Sequence, residues 1–233
     1  MSASRINIAI DGHSSAGKST MAKSLAKELS FVYVDTGAMY RAAALFCMRE
    51  RLILGNEIEE SRVEQAIDRM FISFKYNPTS ETSDVHLGGV NVEKEIRSMD
   101  VARKVSLVAA IPAVRHKLVR LQQRMADKGG VVMDGRDIGT IVLPNAKLKF
   151  FITSDPDIRA QRRLNEMHRE GITSSFEEVR NNIIERDRID SSRAVAPLRQ
   201  AEDSIVLDNS NLTIEEQFQF LLSHAKKTIS SKQ

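Results

Sequence analysis

Apolar positions near the N-terminus change period twice. Ile6, Ile8, Ala9 and Ile10 form a short apolar run ending at Asp11-Gly12, and Met21, Ala22, Leu25, Ala26 and Leu29 then recur at helical spacing. Phe31-Val32-Tyr33-Val34, rich in aromatic and β-branched residues, predicts a second strand. Short buried strands alternating with helices imply βαβ units around a parallel sheet.

From about Glu57 to Val101 the pattern differs. A charged helical stretch around Arg62 to Met70 leads into Phe71-Ile72-Ser73-Phe74, the turn-rich Asn77-Pro78-Thr79-Ser80-Glu81-Thr82-Ser83, Val85-His86-Leu87 and Gly88-Gly89. Such a run predicts a small antiparallel patch inserted into the α/β core. Helical periodicity returns from about Ala102 to Lys128 and predicts one long helix bent near Pro112. Val131-Val132-Met133, Lys147 to Ile152 and Ser204 to Leu207 predict the remaining strands, with an arginine-rich helical region before the last of them. Thr213 and Glu216 stand at capping-box spacing and open a final helix. No internal repeat or low-complexity tract interrupts this order.

Composition narrows the class. With 233 residues, 42% of them hydrophobic and 28% charged, the chain can bury a full core, and its length favours one compact unit. The single Cys47 excludes an internal disulfide and is expected to fill core in a reducing compartment. No apolar run reaches the length of a membrane span, and Met1 to Arg5 lacks a basic segment followed by a long apolar core, so a cytoplasmic location away from membranes is expected. The net charge is only +3, because 34 Lys and Arg are opposed by 31 Asp and Glu. A duplex-binding surface needs a larger and more segregated excess, so nucleic acid is not expected as a partner.

Chemistry enters at Gly12-His13-Ser14-Ser15-Ala16-Gly17-Lys18-Ser19, which fits G-x-x-x-x-G-K-[ST] at every fixed position and lies between a strand and a helix. Gly12 and Gly17 free the backbone to curl its N–H groups toward phosphate oxygens beside the positive end of the following helix. Lys18 adds a point charge, Thr20 follows in the first helical turn, and the Ser19 hydroxyl is the expected ligand of a Mg²⁺ carried by ATP, backed by Asp35 or Asp134. His13 has no required role in the loop.

Two further segments fall at strand ends, where open α/β sheets bind ligands: Asp35-Thr36-Gly37-Ala38-Met39-Tyr40-Arg41 and Asp134-Gly135-Arg136-Asp137-Ile138-Gly139-Thr140. Together with Glu185-Arg186-Asp187-Arg188-Ile189-Asp190-Ser191-Ser192-Arg193-Ala194-Val195-Ala196-Pro197-Leu198, they make the chain resemble the bacterial-type cytidylate kinases over nearly its whole length. The resemblance implies a three-layer α/β P-loop kinase core over residues 1–60 and 101–233, a nucleoside-monophosphate-binding insertion over 61–100 and a short helical lid over about 155–175. It implies transfer of the γ-phosphoryl group of ATP to CMP or dCMP by a monomer. Arg41, Arg136 and Arg193 match positions that clamp the acceptor phosphate. Ser106, Arg115 and Asp137 match those that read the cytosine edge, Arg186 and Asp190 those at the ribose, and Thr36 and Tyr40 lie in the same acceptor segment. Arg159, Arg162 and Arg163 resemble lid arginines, and Lys18, Arg136, Arg159 and Arg163 are the expected catalytic cations. Planar guanidinium forks suit phosphate oxygens, and a carboxylate can accept from a cytosine amine.

The chain departs from the family at His13, where proline is common, and at Arg188-Ile189, where a more acidic stretch is usual. Among rival readings, another small-acceptor P-loop kinase is disfavoured by the Asp-Gly-Arg-Asp segment and the inserted patch. A nucleic-acid-binding regulator is disfavoured because Glu166, Glu170, Glu177, Glu178, Glu185, Asp187 and Asp190 interleave the arginines between Arg159 and Arg199.

Overall fold

The first apolar run becomes strand β1 (Ile8–Gly12), with every residue buried, and the helical repeat becomes α1 (Lys18–Leu29), whose Met21, Ala22, Leu25 and Ala26 face the core. The structure, a computed structural model, describes residues 5–55, 57–79, 82–169 and 171–231. Met1 to Ser4, Ser80 and Glu81 of the turn-rich segment, and Glu170 lie outside the described residues. Those described divide into two compact units instead of the single one favoured by length: residues up to Tyr33 with those from Ala126 onward, and Val34–Met125.

The first unit is built on a five-stranded sheet. After β1 come β2 (Val32–Asp35), which begins in this unit, then β8 (Val131–Gly135), β9 (Leu148–Thr153) and β10 (Ile205–Asp208). Their order is β10-β9-β1-β8-β2. β1 pairs in parallel with both β8 and β9, Ile10 lying beside Asp134 and Phe150, and β10 pairs in parallel with β9. Parallel strands buried on both faces require the near-continuous apolar runs seen in the sequence. Ile8, Ile10, Val132, Phe150 and Ile152 pack with Leu25 of α1 and Leu221 of α8 (Ile214–Ser230) in one cluster. The predicted capping box opens α8: Thr213 Oγ1 accepts from Glu216 N, and the Glu216 carboxylate accepts from Thr213 N. The arginine-rich region is two helices, α6 (Pro156–Arg169) and α7 (Phe176–Ser192), joined through their own small core of Ala160, Leu164, Met167, Val179 and Ile183.

The second unit opens with α2 (Thr36–Arg49), capped by the Asp35 carboxylate accepting from Ala38 N at 2.8 Å. Cys47 is fully buried on this helix, as its expected packing role requires. A two-stranded hairpin, β3 (Ile53–Leu54) and β4 (Glu57–Ile58), has no counterpart in the sequence expectations. Helix α3 (Glu60–Ala66) precedes an antiparallel sheet of β5 (Ile72–Asn77), β6 (Thr82–Leu87) and β7 (Val90–Asn91). This is the inserted patch read from the alternation. The single bent helix expected from Ala102 to Lys128 is corrected: α4 (Met99–Ala109) ends, and α5 (Pro112–Ala126) begins after Ala110-Ile111. Pro112 is the first residue of α5, where its missing N–H would have no intrahelical partner, so the proline starts a helix and does not bend one.

Candidate active site

In the first unit, the Gly12-to-Ser19 loop leaves the end of β1 and enters α1 as the motif predicts. Gly12 has φ +147°, and a Cβ there would lie 2.1 Å from the Ile152 carbonyl oxygen of the neighbouring strand. Only glycine fits that approach. Gly17, at φ +80°, is the left-handed N-cap of α1, and Ser15 also has positive φ, at 58°. The loop is held from the other end of the chain. Asn209, fully buried after β10, donates its Nδ2 to Ala16 O at 2.8 Å and to Gln217 Oε1 at 2.9 Å, while its Oδ1 accepts from Arg162 Nη1 at 3.0 Å. Ser14 and Ala16 are buried, His13 and Ser15 half-buried, and Ser19 and Thr20 exposed. Lys18 is 5% exposed, and its Nζ donates to His13 O at 2.6 Å. Burial, and then the nearby Arg136 charge, hold its ammonium below the ordinary lysine range, against the pull of Asp134 and Asp11.

Asp134, at the end of β8, accepts from Ser19 Oγ and from Tyr33 OH, both at 2.8 Å. The residues after it make a dense ionic set. Arg136 Nε donates to Asp190 Oδ2 at 2.8 Å, Arg193 Nη1 lies 3.7 Å from Asp190 Oδ1, and Arg193 Nη2 lies 3.7 Å from Asp137 Oδ1. Asp137 is only 3% exposed. Burial alone would raise the Asp190 carboxyl, but the charges of Arg136, Arg193 and Arg186 outweigh it and lower its pKa. Asp11, overlooked in the motif reading, accepts from Ile138 N at 2.8 Å and Gly139 N at 2.7 Å and so fixes the backbone that follows Asp137. Burial pushes its carboxyl up to about 6 in spite of those two bonds.

The expected lid arginines differ from one another. Arg159, 3% exposed, donates from Nε to Ser154 O at 3.0 Å and from Nη1 to Ser14 O at 3.1 Å and Asp187 Oδ2 at 2.5 Å. Arg162 holds Asn209, and Arg163 pairs with Glu166 of its own helix at 3.2 Å. Asp187 also accepts from Ser14 N at 3.2 Å and lies 3.5 Å from His13 Nδ1, which gives His13 a partner the sequence did not suggest. Asp11 and Asn209 carry no motif signal, although Asp11 directly precedes the first glycine of the loop, and Asp187 lies inside the segment that carries the resemblance without a role assigned to it there.

In the second unit the acceptor segment is organised around Asp35, whose Oδ2 accepts from Arg41 Nη2 at 3.1 Å and lies 3.8 Å from Arg97 Nη2. Thr36 is the buried first residue of α2. Arg115, 1% exposed, donates to Ala109 O at 3.1 Å and holds its guanidinium 5.2 Å from the centroid of the Tyr40 ring. Ser106 is half-buried on α4.

A glycine loop between a parallel strand and a helix, with its lysine and serine beside a strand-end aspartate and a set of arginines, defines a P-loop phosphotransferase. The family described as Cytidylate kinase matches residues 8–227. A cytidylate kinase from Parabacteroides distasonis is 53% identical over 97% of this chain and 99% of its own length. Those from Porphyromonas gingivalis and Bacteroides thetaiotaomicron are 50% and 48% identical, each over 97% of this chain and 98% of their own. The chain belongs to the cytidylate kinase family. Among solved structures, a shikimate kinase from Bacteroides thetaiotaomicron shares 12% identity at a TM-score of 0.46, over 96% of this chain and 99% of its own.

Proposed function

We propose that this chain transfers the γ-phosphoryl group of ATP to CMP or dCMP, giving CDP or dCDP and ADP. The observation that carries the reading is the pairing of Arg136 and Asp137, on the segment that leaves the strand next to the P-loop strand, with Asp190 and Arg193 at the end of α7. Two arginines held near each other by carboxylates are set to exchange part of that pairing for an acceptor phosphate; in the second unit, the family resemblance assigns the same role to Arg41. In the first unit, Asp137, nearly fully buried, suits the hydrogen-bonding edge of a cytosine, and Arg186 and Asp190 suit the ribose; in the second, the family resemblance assigns base reading to Ser106 and the nearly fully buried Arg115.

At neutral pH an acceptor phosphate, with a second pKa of about 6, is largely dianionic and needs no general base. Catalysis then rests on alignment and charge neutralisation by Lys18, Arg136, Arg159 and Arg163. One such contact, made only in the transition state, is worth about 3–4 kcal/mol by analogy with a lost oxyanion donor. The residues fit a Mg²⁺ ion that arrives with the nucleotide: Ser19 offers its hydroxyl, and Asp134, 2.8 Å behind it, orients that hydroxyl, whereas Asp35 is occupied as a helix cap and arginine partner. Bound there, the ion would neutralise charge on the donor phosphates.

No helix among the described residues is long and apolar enough to cross a membrane. A monomer acting on small molecules in the cytoplasm agrees with the lone buried Cys47 and the near-balanced charge. The deciding assay is coupled ADP release with Mg-ATP and, separately, CMP, dCMP, UMP, AMP, GMP and shikimate. Turnover with CMP and dCMP alone is expected, and preference for another acceptor would sink the base assignment. Lys18→Ala should abolish turnover while leaving the circular dichroism spectrum unchanged, and retained turnover would remove the P-loop from the mechanism.

A further inference from the structure

Asp187 occupies an unusual place for a carboxylate. Its Oδ1 accepts from the P-loop Ser14 N–H at 3.2 Å, and its Oδ2 accepts from Arg159 Nη1 at 2.5 Å. Backbone N–H groups of a P-loop and a guanidinium are the donors such a site offers to phosphate oxygens. The same Arg159 Nη1 also donates to Ser14 O at 3.1 Å, and His13 Nδ1 lies 3.5 Å from Asp187, so loop, arginine and carboxylate are tied into one knot. Lys18 is satisfied inside the loop as well, through His13 O at 2.6 Å. Asp187 therefore sits at the end of the loop where the lysine reaches the outer phosphates of a triphosphate. The carboxylate is 15% exposed, Arg159 only 3%, and both belong to the α6–α7 pair that shares its own small core.

We propose that Asp187 is a positioning residue that stands in for the γ-phosphate in the nucleotide-free site, holding the Ser14 amide and Arg159 in readiness and leaving both when ATP arrives. The proposal rests on the donor-site reading above. Burial would raise the Asp187 carboxyl, but the neighbouring His13 ring and Arg159 guanidinium outweigh it and hold it down at about 2, so the group is an anion throughout the physiological range. An anion cannot share those donors with a γ-phosphate oxygen without like-charge repulsion, so binding of ATP must displace it. ADP, lacking the third phosphate, does not contest the same place. The exchange passes Arg159 from carboxylate to phosphate, placing it on the transferring group only when a triphosphate is bound. With ADP alone, Arg159 remains with Asp187.

The test is calorimetric titration of Mg-ATP and Mg-ADP, without acceptor, into the wild type and Asp187→Asn. Asp187→Ser is measured alongside, so that loss of folding in one neutral variant leaves the comparison intact. Either neutral variant should bind ATP about five- to tenfold more tightly while ADP affinity changes less than about twofold. Asp187→Glu, which keeps the charge, should return the ATP-to-ADP ratio toward the wild-type value. Equal shifts for both nucleotides, or weaker ATP binding in both folded variants, would overturn the proposal, since a purely structural aspartate gives no reason to discriminate a third phosphate. Lys18→Ala in the same titration separates the two readings: if it binds both nucleotides as the wild type does, the donor site itself is misassigned.

Discussion

Replacing Asp11 with alanine tests how the backbone behind the acceptor residues is held. The carboxylate accepts from Ile138 N at 2.8 Å and Gly139 N at 2.7 Å, and Asp11, Ile138 and Gly139 are all buried. Leaving two buried donors without partners costs about 1–3 kcal/mol each, or about 2–6 kcal/mol together. Against that stands the cost of keeping the carboxylate ionised in the interior. Its pKa is raised from 3.8 to about 6, and at about 1.36 kcal/mol per pKa unit the variant is relieved of about 3 kcal/mol at neutral pH. The net effect at pH about 7.5 therefore lies between a gain of about 1 kcal/mol and a loss of about 3 kcal/mol, less than two buried hydrogen bonds would suggest. The sign of the pH dependence follows from the raised folded-state pKa: the group's stabilising contribution is fully present below 3.8 and is lost as pH rises through about 6. The wild type should gain on Asp11→Ala as pH falls from about 7.5 to about 5, by about 1.4 kcal/mol, since pH 5 lies about one unit below the folded-state pKa. Urea unfolding at both pH values measures the gap, and the KM for CMP should rise because Ile138 and Gly139 follow Asp137. A gap that is equal at the two pH values, or wider at the higher one, refutes the reasoning.

Gly12→Ala should be among the most damaging small substitutions, because its Cβ would meet the Ile152 carbonyl oxygen at 2.1 Å and neither strand can yield without breaking the sheet. A loss of about 3 kcal/mol or more, read as a lowered Tm, is expected, and a wild-type melting curve would contradict it. Asp137→Ala should weaken CMP binding at least about tenfold while leaving ATP within about twofold, since it removes a buried acceptor and leaves Arg193 with one carboxylate fewer. Separate titrations of the two nucleotides decide this, and an equal loss for both would remove Asp137 from base reading.

Local signals were legible in the sequence and distant ones were not. The P-loop could be read in full because its requirements are met within eight consecutive residues, Gly12 to Ser19, between two elements whose periodicity is plain. The capping box at Thr213 is equally local. Helical periodicity continues on both sides of Pro112 and so suggests a bend, yet a proline suits the first turn of a helix better than its interior. Asp11, Asp187 and Asn209 bind partners 127, 173 and 193 residues away in the chain, and no spacing rule connects positions so far apart. The motif residues identify the phosphate site, while these three hold it in shape. Arg163 shows the complementary limit: its helical spacing with Arg159 is legible, but its pairing with Glu166 depends on the side-chain conformation.

The grip of Asn209 on Ala16 has a consequence for how the enzyme is made. On the ribosome the phosphate loop emerges well before its anchor, which lies 193 residues further along the chain. Gln217, which braces that anchor, follows a further turn into the closing helix. At elongation rates of about 5–20 residues per second, the loop waits on the order of ten seconds or more for its support. A nascent chain therefore carries the complete nucleotide signature long before the loop has the support it needs to hold a nucleotide.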